Sequence, residues 1–310
     1  FEVEAARGIA NGLELLGRIE EGAETVSLTI DGVAVEVAPT PAEPALFAGL
    51  NVALAVRNGE RAEDIVAWLR YHADDHALQA ALILDRFGPA DEAEDALATA
   101  LEKIDISGIE RVVLVDPARP LGKAGHGAEG HRYNAPDAPG RDRMELPDPD
   151  PWRAPMGEFI FYEYLRHLFL GQARAVMNLD VSDILAPDPG PNLFDRAVGA
   201  PGGVVVLFGQ RVYPWGVKKD ARPSFGDHIC RRFDAGRGNP RWCVAPAKLP
   251  ETAVLRLVRV VGASAPPIGP AQYYRYMGLR HPDEPVAAIV PKTSLVEDDT
   301  LIALATERFG

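Results

Sequence analysis

The spacing of apolar positions changes character near residue 50. Before it, TVSLTIDGVAVEV (25–37) alternates apolar and polar residues on both sides of Asp31-Gly32, the dipeptide a tight type I′ turn demands because both central residues take positive φ. A β-hairpin is predicted there. The next stretch, APTPAEPALFAG (38–49), holds three prolines and reads as a linker, so residues 1–48 form a small β-rich appendage. From residue 50 short continuous apolar runs alternate with amphipathic ones: strands at LNVALAVR (50–57), LQAALILDR (78–86), ERVVLVDP (110–117) and ARAVMNLD (173–180), helices at 60–75, 90–104 and 157–171. In the first helix Ile65, Val66, Trp68 and Leu69 make the inner face. Strands without alternation, separated by helices, specify an α/β domain with a mostly parallel sheet flanked by helices, here over 49–310, with 50–186 as its first half and 187–310 as its second.

Ligands of such sheets bind at the carboxyl ends of the strands. These strands end in Arg57-Asn58, Asp85, Asp116 and Asp180, so polar groups gather along one edge. The last run is the most pointed: ARAVMNLDVSDILAP (173–187) goes from buried strand to two carboxylates within four residues. Asp180 and Ser182 share a face if the strand continues, whereas Asp183 joins them only if the chain turns. A solvated acidic turn is the plain alternative.

Composition narrows the function classes. The formal charge of −13 excludes a general nucleic-acid binder, which needs a dominant basic face. The charge is uneven, and residues 211–248 carry nine bases against three acids, suited either to an anionic ligand or to a solvated loop. Cys230 and Cys243 form no metal or redox motif, which points to a reducing, cytoplasmic setting, with a single bridge between the two as the alternative. No apolar run approaches the roughly 18–20 residues of a transmembrane segment, leaving a peripheral station at the inner membrane surface as the variant. GHGAEG (125–130) has dinucleotide-loop spacing but joins no strand to a helix, and His126 and His131 beside it have no cysteine partners. The Pro/Gly-rich excursion around it (118–155) is either a loop that covers a substrate or a plain surface loop.

Three segments in order, LAVRNGERAEDIVAWLRYH, LILDRFGPADEAEDAL and ARAVMNLDVSDIL, resemble glycosyltransferases of the GT-A fold, the family 2-like group, and NPRWCVAPAKLPE (239–251) is similar to a downstream segment of some of them. The resemblance implies a GT-A-like (Rossmann-like) sheet, a nucleoside diphosphate sugar donor of the UDP type, an unknown acceptor, and a divalent cation (Mn²⁺ or Mg²⁺) bridging carboxylate and diphosphate. It sets Arg57, Asn58 and Glu60 near the nucleotide, Asp85 and more weakly Asp116 on the base or ribose, and Asp180 on the ribose or the metal. The chain departs from the family's Asp-x-Asp where Ser182 replaces the second Asp. Three readings stay open: Asp183 is the replacement ligand, Ser182 coordinates weakly or through water, or metal is absent and fixed cations of the basic segment, with Lys218, Arg231 and Arg241 as candidates, hold the diphosphate.

An inverting enzyme also needs a carboxylate base. Asp227 in SFGDHICRRF is the candidate, with an ion pair to Arg231 as the plainer reading. His228 and His281 are either third metal ligands or structural, and the tyrosines of QYYRYMGLRH (272–281) either stack on sugar or fill the core at helical spacing. The rival to an enzyme is a binding or scaffold protein that keeps the architecture without metal-dependent turnover. A homo-oligomer formed through the free edge of the hairpin is also open.

Overall fold

The structure is a computed structural model that describes residues 2–9, 12–20, 22–86, 93–103, 105–131, 133, 140–157, 160–218, 221–233, 238–264, 272–280 and 295–310. Two hairpins come first, β1 (Glu2–Ile9) with β2 (Gly12–Arg18) and β3 (Val26–Ile30) with β4 (Val33–Val37). Asp31 and Gly32 have φ of 48° and 80°, the left-handed pair that the Asp-Gly dipeptide predicts. The first hairpin escaped the pattern reading because a register shift between Val3 and Ala5 breaks its alternation. The proline segment is no free linker: Phe47 is fully buried, and Glu43 and Gly49 donate backbone hydrogen bonds to Leu168 (2.7 Å) and Gln172 (2.9 Å).

Four parallel strands follow, β5 (Asn51–Arg57), β6 (Ala80–Asp85), β7 (Arg111–Val115) and β8 (Ala175–Asn178), in spatial order β7-β6-β5-β8. Both β5 and β6 are buried throughout, which is why their sequences run apolar without alternation. On one face α1 (Ala62–His76) and α2 (Ala93–Glu102) set Ile65, Trp68, Leu69 and Leu97 against Ala53, Ala55, Ala81 and Ile83. On the other, α3 (Phe161–Leu165), which continues as a π-helical turn over Arg166–Leu170, joins Phe47 in covering Val52, Leu54, Leu82 and Val176.

Antiparallel pairings build the second half of the sheet. After β9 (Asp183–Leu185) and α4 (Leu193–Gly199) come β10 (Val204–Tyr213), β11 (Cys230–Arg232) and β12 (Pro240–Val244); β12 lies antiparallel to β8, β10 to β12, and β11 to β10. A small hairpin, β13 (Val254–Arg256) with β14 (Arg259–Val261), precedes β15 (Gln272–Tyr276), which runs parallel to β10 and antiparallel to β9; β16 (Leu295–Glu297) closes the edge on β11 and α5 (Asp299–Arg308) ends the chain. The tyrosine stretch is therefore a strand at 272–276, not a helix, and Tyr273 and Tyr276 are core residues.

Tyr273 packs its ring against Gly209, its cross-strand partner, and donates from its hydroxyl to the Asn239 carbonyl at 2.7 Å. A Cβ on Gly209 would come within 2.5 Å of that buried ring, which the hydroxyl bond prevents from swinging aside. Gly209→Ala is expected to cost about 1–3 kcal/mol by overpacking, read as a lower urea midpoint at unchanged slope. Cys230 and Cys243 are both buried and free. No helix among the described residues is long and apolar enough to cross a membrane.

Candidate functional site

The carboxyl ends of the parallel strands carry the charge. Arg57 and Asp85 are register partners on β5 and β6 and form a buried ion pair. Past β5 the chain bends through Gly59, whose φ of 89° favours glycine, and brings Glu60 back under the turn. There the Asn58 N–H donates to the Glu60 carboxylate and Arg57 Nε donates to the Glu60 carbonyl at 2.8 Å. Glu60 is wholly buried, and that burial pushes its carboxyl up to about 7, although Arg280 and the Asn58 N–H pull the other way. Arg86, just past β6, donates to Asn58 Oδ1 at 3.0 Å and to the Ala154 carbonyl.

The acidic stretch does turn. Strand β8 stops at Asn178, the Asp183 N–H donates to the Asp180 carbonyl at 2.9 Å, and the Asp180 N–H donates to Asp183 Oδ2 at 3.2 Å, so both carboxylates reach one place. Two arginines from the antiparallel half meet them. Arg275 is the cross-strand neighbour of Asp183 in the β9–β15 register and donates from Nε to Oδ1 and from Nη2 to Oδ2, each at 2.8 Å. It also reaches Asp180 Oδ2 at 3.2 Å, the same oxygen that accepts from Arg241 Nη2 at 2.6 Å. The fork matches a carboxylate's two oxygens, which makes it a strong, directional pair. Burial pushes the Asp183 carboxyl up, but Arg275 and Arg241 outweigh it and hold the group below the usual carboxylate range. Burial also disfavours the Arg275 charge, and the two aspartates reverse that, leaving its guanidinium well above the ordinary value.

Around this pair lie polar atoms that are buried and have no hydrogen-bond partner among the described residues: Glu60 Oε1, Asp180 Oδ1, Ser182 Oγ, the Tyr162 hydroxyl, Arg86 Nε and Arg280 Nε. They are electrostatic neighbours, since Asp180 acts on Glu60, Tyr162 and Arg86, and Arg280 acts on Glu60, Asp183 and Arg86. Native interiors leave few such atoms, and so many on one sheet edge mark a place where solvent or ligand completes the bonding.

A divalent cation needs several oxygen ligands converging on one point. Asp183 gives both oxygens to Arg275, and Asp180 leaves one free oxygen with Ser182 as its only hydroxyl neighbour in sequence. Two guanidiniums already supply the positive charge. As arranged, this donor set does not fit a resident Mn²⁺ or Mg²⁺. The group of carboxylates and imidazole that does converge among the described residues is Glu14, Glu163 and His167 on the α3 side, where Glu163 already accepts from Arg166 (2.9 Å), His167 (3.0 Å) and the Leu255 N–H (2.8 Å).

The remaining sequence candidates lie apart from the cluster. Asp116 and Lys218 are exposed. Asp227 and Arg231 do not pair with each other: Arg231 Nε donates to Asp298 at 2.7 Å, and Asp227 accepts from the Ser224 N–H (2.7 Å) and hydroxyl (2.8 Å), capping its own short turn. A carboxylate bound in this way is poorly placed as a base. Both ring nitrogens of His228 are engaged, one with the Ser224 carbonyl and one with the Gly278 N–H, and burial lowers the imidazole to about 4; it is a structural histidine. His281 lies outside the described residues. Of the sequence candidates, the structure brings Arg57, Asn58, Glu60, Asp85, Asp180, Asp183 and Arg241 together at this edge, and it sets beside them Tyr162, Arg86, Arg275 and Arg280, which the sequence reading did not name. Only the strand period of QYYRY, which sets Arg275 on the face of Tyr273, could have pointed to one of them.

No family model and no curated protein matches the chain. Two structures of the mannosyltransferase Ktr4p from S. cerevisiae, the second in complex with GDP, are similar over 56% of this chain, at 12% and 13% identity and TM-scores of 0.31 and 0.30. The overlap spans 42% and 43% of those proteins, less than half their length. Likeness at that level carries neither fold nor activity across.

Proposed function

We propose that the chain is a glycosyltransferase that moves a sugar from a nucleoside diphosphate sugar, of the UDP type, to an acceptor still to be identified. The observation that carries this reading is the gathering of buried, unpartnered polar atoms around Asp180 at the carboxyl edge of the parallel strands, where α/β sheets bind ligands. In the transfer an acceptor hydroxyl oxygen attacks the anomeric carbon, the bond to the diphosphate breaks, the hydroxyl proton passes to a base and the leaving diphosphate keeps the electron pair. Guanidiniums fixed in a water-poor site stabilise such a leaving group without reorganising, and Arg241 and Arg275 are the fixed cations nearest Asp180. Glu60, with a free oxygen and a proton affinity near neutrality, suits the base better than the capped Asp227.

The test is release of sugar from UDP-, GDP-, CDP- and dTDP-linked donors, with Mn²⁺, with Mg²⁺ and in EDTA. One donor class is expected to turn over, with the rate surviving EDTA and falling at least about 100-fold in Asp180→Asn. Full activity of Asp180→Asn would remove Asp180 from the site. The specific observation favouring the rival, a binding protein without turnover, is the occupation of Asp183 by Arg275; it predicts a calorimetric signal with UDP, equal with and without Mn²⁺, and no sugar release from any donor.

A further inference from the structure

Strand β8 stops at Asn178, but the chain stays beside β5 as far as Val181, whose N–H donates to the Val56 carbonyl at 3.2 Å. Side chains alternate along such an extended segment. Met177, Leu179 and Val181 pack into the core on the α1 side and Val176 packs under α3, so Asn178 and Asp180 face α3 as well. Tyr162 of α3 belongs to the same layer, where its ring meets Trp242 edge to face at 6.3 Å. The turn between β13 and β14 closes this place, and its Leu257 carbonyl accepts from Asn178 Nδ2 at 2.7 Å. Three oxygens here are buried and have no hydrogen-bond partner among the described residues: Asn178 Oδ1, Asp180 Oδ1 and the Tyr162 hydroxyl. Their residues are 0%, 4% and 2% exposed. A buried tyrosine hydroxyl ordinarily finds a partner, and so many orphaned atoms in one layer call for a ligand. Burial raises the Tyr162 hydroxyl well above its ordinary value and the nearby Asp180 charge raises it further, so the phenol keeps its proton and can donate.

The bonding capacity of these atoms says what would complete them. A carbonyl only accepts, so the Asn178 amide turns its NH2 to Leu257 and leaves an acceptor on its other side. Asp180 Oδ1 is an acceptor too, since Oδ2 takes the bonds from Arg241 and Arg275. Two acceptors and one hydroxyl need a ligand that brings donors, and an ionised phosphate brings none. A cation is opposed by the guanidiniums of Arg241, Arg86 and Arg275, all of which act on the Tyr162 phenol. A neutral group with adjacent hydroxyls both donates and accepts. We propose that Tyr162, Asn178 and Asp180 form a subsite for the hydroxyl groups of a sugar, with the Tyr162 hydroxyl as the contact that sets its specificity. This deepens the glycosyltransferase reading and rests on it for the sugar's being part of a nucleotide-linked donor, but the subsite itself is tested with free sugars. Because the three oxygens are closed off from solvent, a sugar reaches them only as the turn at Leu257 lifts.

The probes are D-glucose, D-galactose, D-mannose and N-acetyl-D-glucosamine, titrated by saturation-transfer NMR into wild type and Tyr162→Phe, with inorganic pyrophosphate as the control. At least one sugar is expected to bind wild type and to bind Tyr162→Phe about tenfold or more weakly, with pyrophosphate affinity the same in both. Phenylalanine keeps the packing of the ring, and losing an unpaired buried hydroxyl forfeits no bond. The ligand-free variant is therefore expected to unfold in urea at the same midpoint as wild type or a higher one, whereas a hydroxyl with a purely structural role would lower it. Wild type that binds none of these sugars, equal sugar affinity in the two proteins, a parallel loss of pyrophosphate binding, or a lower midpoint in Tyr162→Phe overturns the subsite. Sugar release from nucleotide-linked donors separates the two ideas. Sugar binding that depends on Tyr162, with no donor turned over, sinks the glycosyltransferase reading and leaves the subsite, whereas donor turnover with identical KM and kcat in wild type and Tyr162→Phe does the reverse.

Discussion

Arg275→Leu is expected to lower the free energy of unfolding by about 3–5 kcal/mol, the usual cost of leaving a buried charge without its partner. The charge left behind is Asp183, which is wholly buried and accepts on both oxygens from that one guanidinium, with Arg241 Nε at 3.6 Å and the Asp180 N–H at 3.2 Å as its remaining partners. Equilibrium urea unfolding measures the loss. Combining the change with Asp183→Leu should cost much less than the two single losses added, because the pair shares one interaction. A loss under about 1 kcal/mol for the single variant is the magnitude of an exposed pair and would mean that water reaches the cluster. Replacing both partners by apolar residues can be nearly neutral in other proteins, so the cluster is poorly explained as a stabilising device and better explained as a means of fixing Asp180 and Arg241 in place.

The second large effect has the opposite sign. Glu60 is raised from 4.5 to about 7 in the folded chain, so the folded state holds its proton where the unfolded state has lost it. Its protonated form is fully compatible with the fold below about pH 4.5; stability then falls as pH rises through the window from 4.5 to 7, and the loss levels off above it at about 3 kcal/mol. Glu60→Gln has the shape of the protonated acid and can still accept the Asn58 N–H. It is expected to change little at pH 4.5, to stabilise progressively across that window, and by pH 8 to gain about 3 kcal/mol over wild type. Urea unfolding at a series of pH values reads this directly, and a gain independent of pH would contradict the raised acid. If Glu60 takes the acceptor proton, the same variant loses turnover while it gains stability, a familiar exchange at strained functional sites.

The legible part of the fold is local in its rules. Strands β5, β6 and β8 announce themselves because burial on both faces removes polar residues, and Asp31-Gly32 announces a hairpin because few other dipeptides tolerate the turn. The antiparallel half is written in pairings that no window can see: β9 is three residues long and finds β15 some ninety positions later. The site divides along the same line. Its acids stand at strand ends, where a general rule about α/β sheets exposes them. Its arginines are harder to see: Arg275 lies between tyrosines in a run that reads as helix, and Arg86, although it stands at a strand end, follows Asp85 as an ordinary charged turn would. The departure at Ser182 was visible, but its consequence needed the coordinates, since the chain had to turn before Asp183 could be seen to face an arginine.

Phe47 bears on where the chain can be cut. A fragment beginning at residue 49, the limit that the prolines suggest, would lose the ring that fills the sheet's α3 side and the backbone bond that Glu43 makes to Leu168. It would carry an open apolar socket of the kind that drives insolubility. The severable joint lies earlier, between Val37 and Glu43, so an excised fragment carrying the sheet should keep Glu43 through Ala48 as part of its own body.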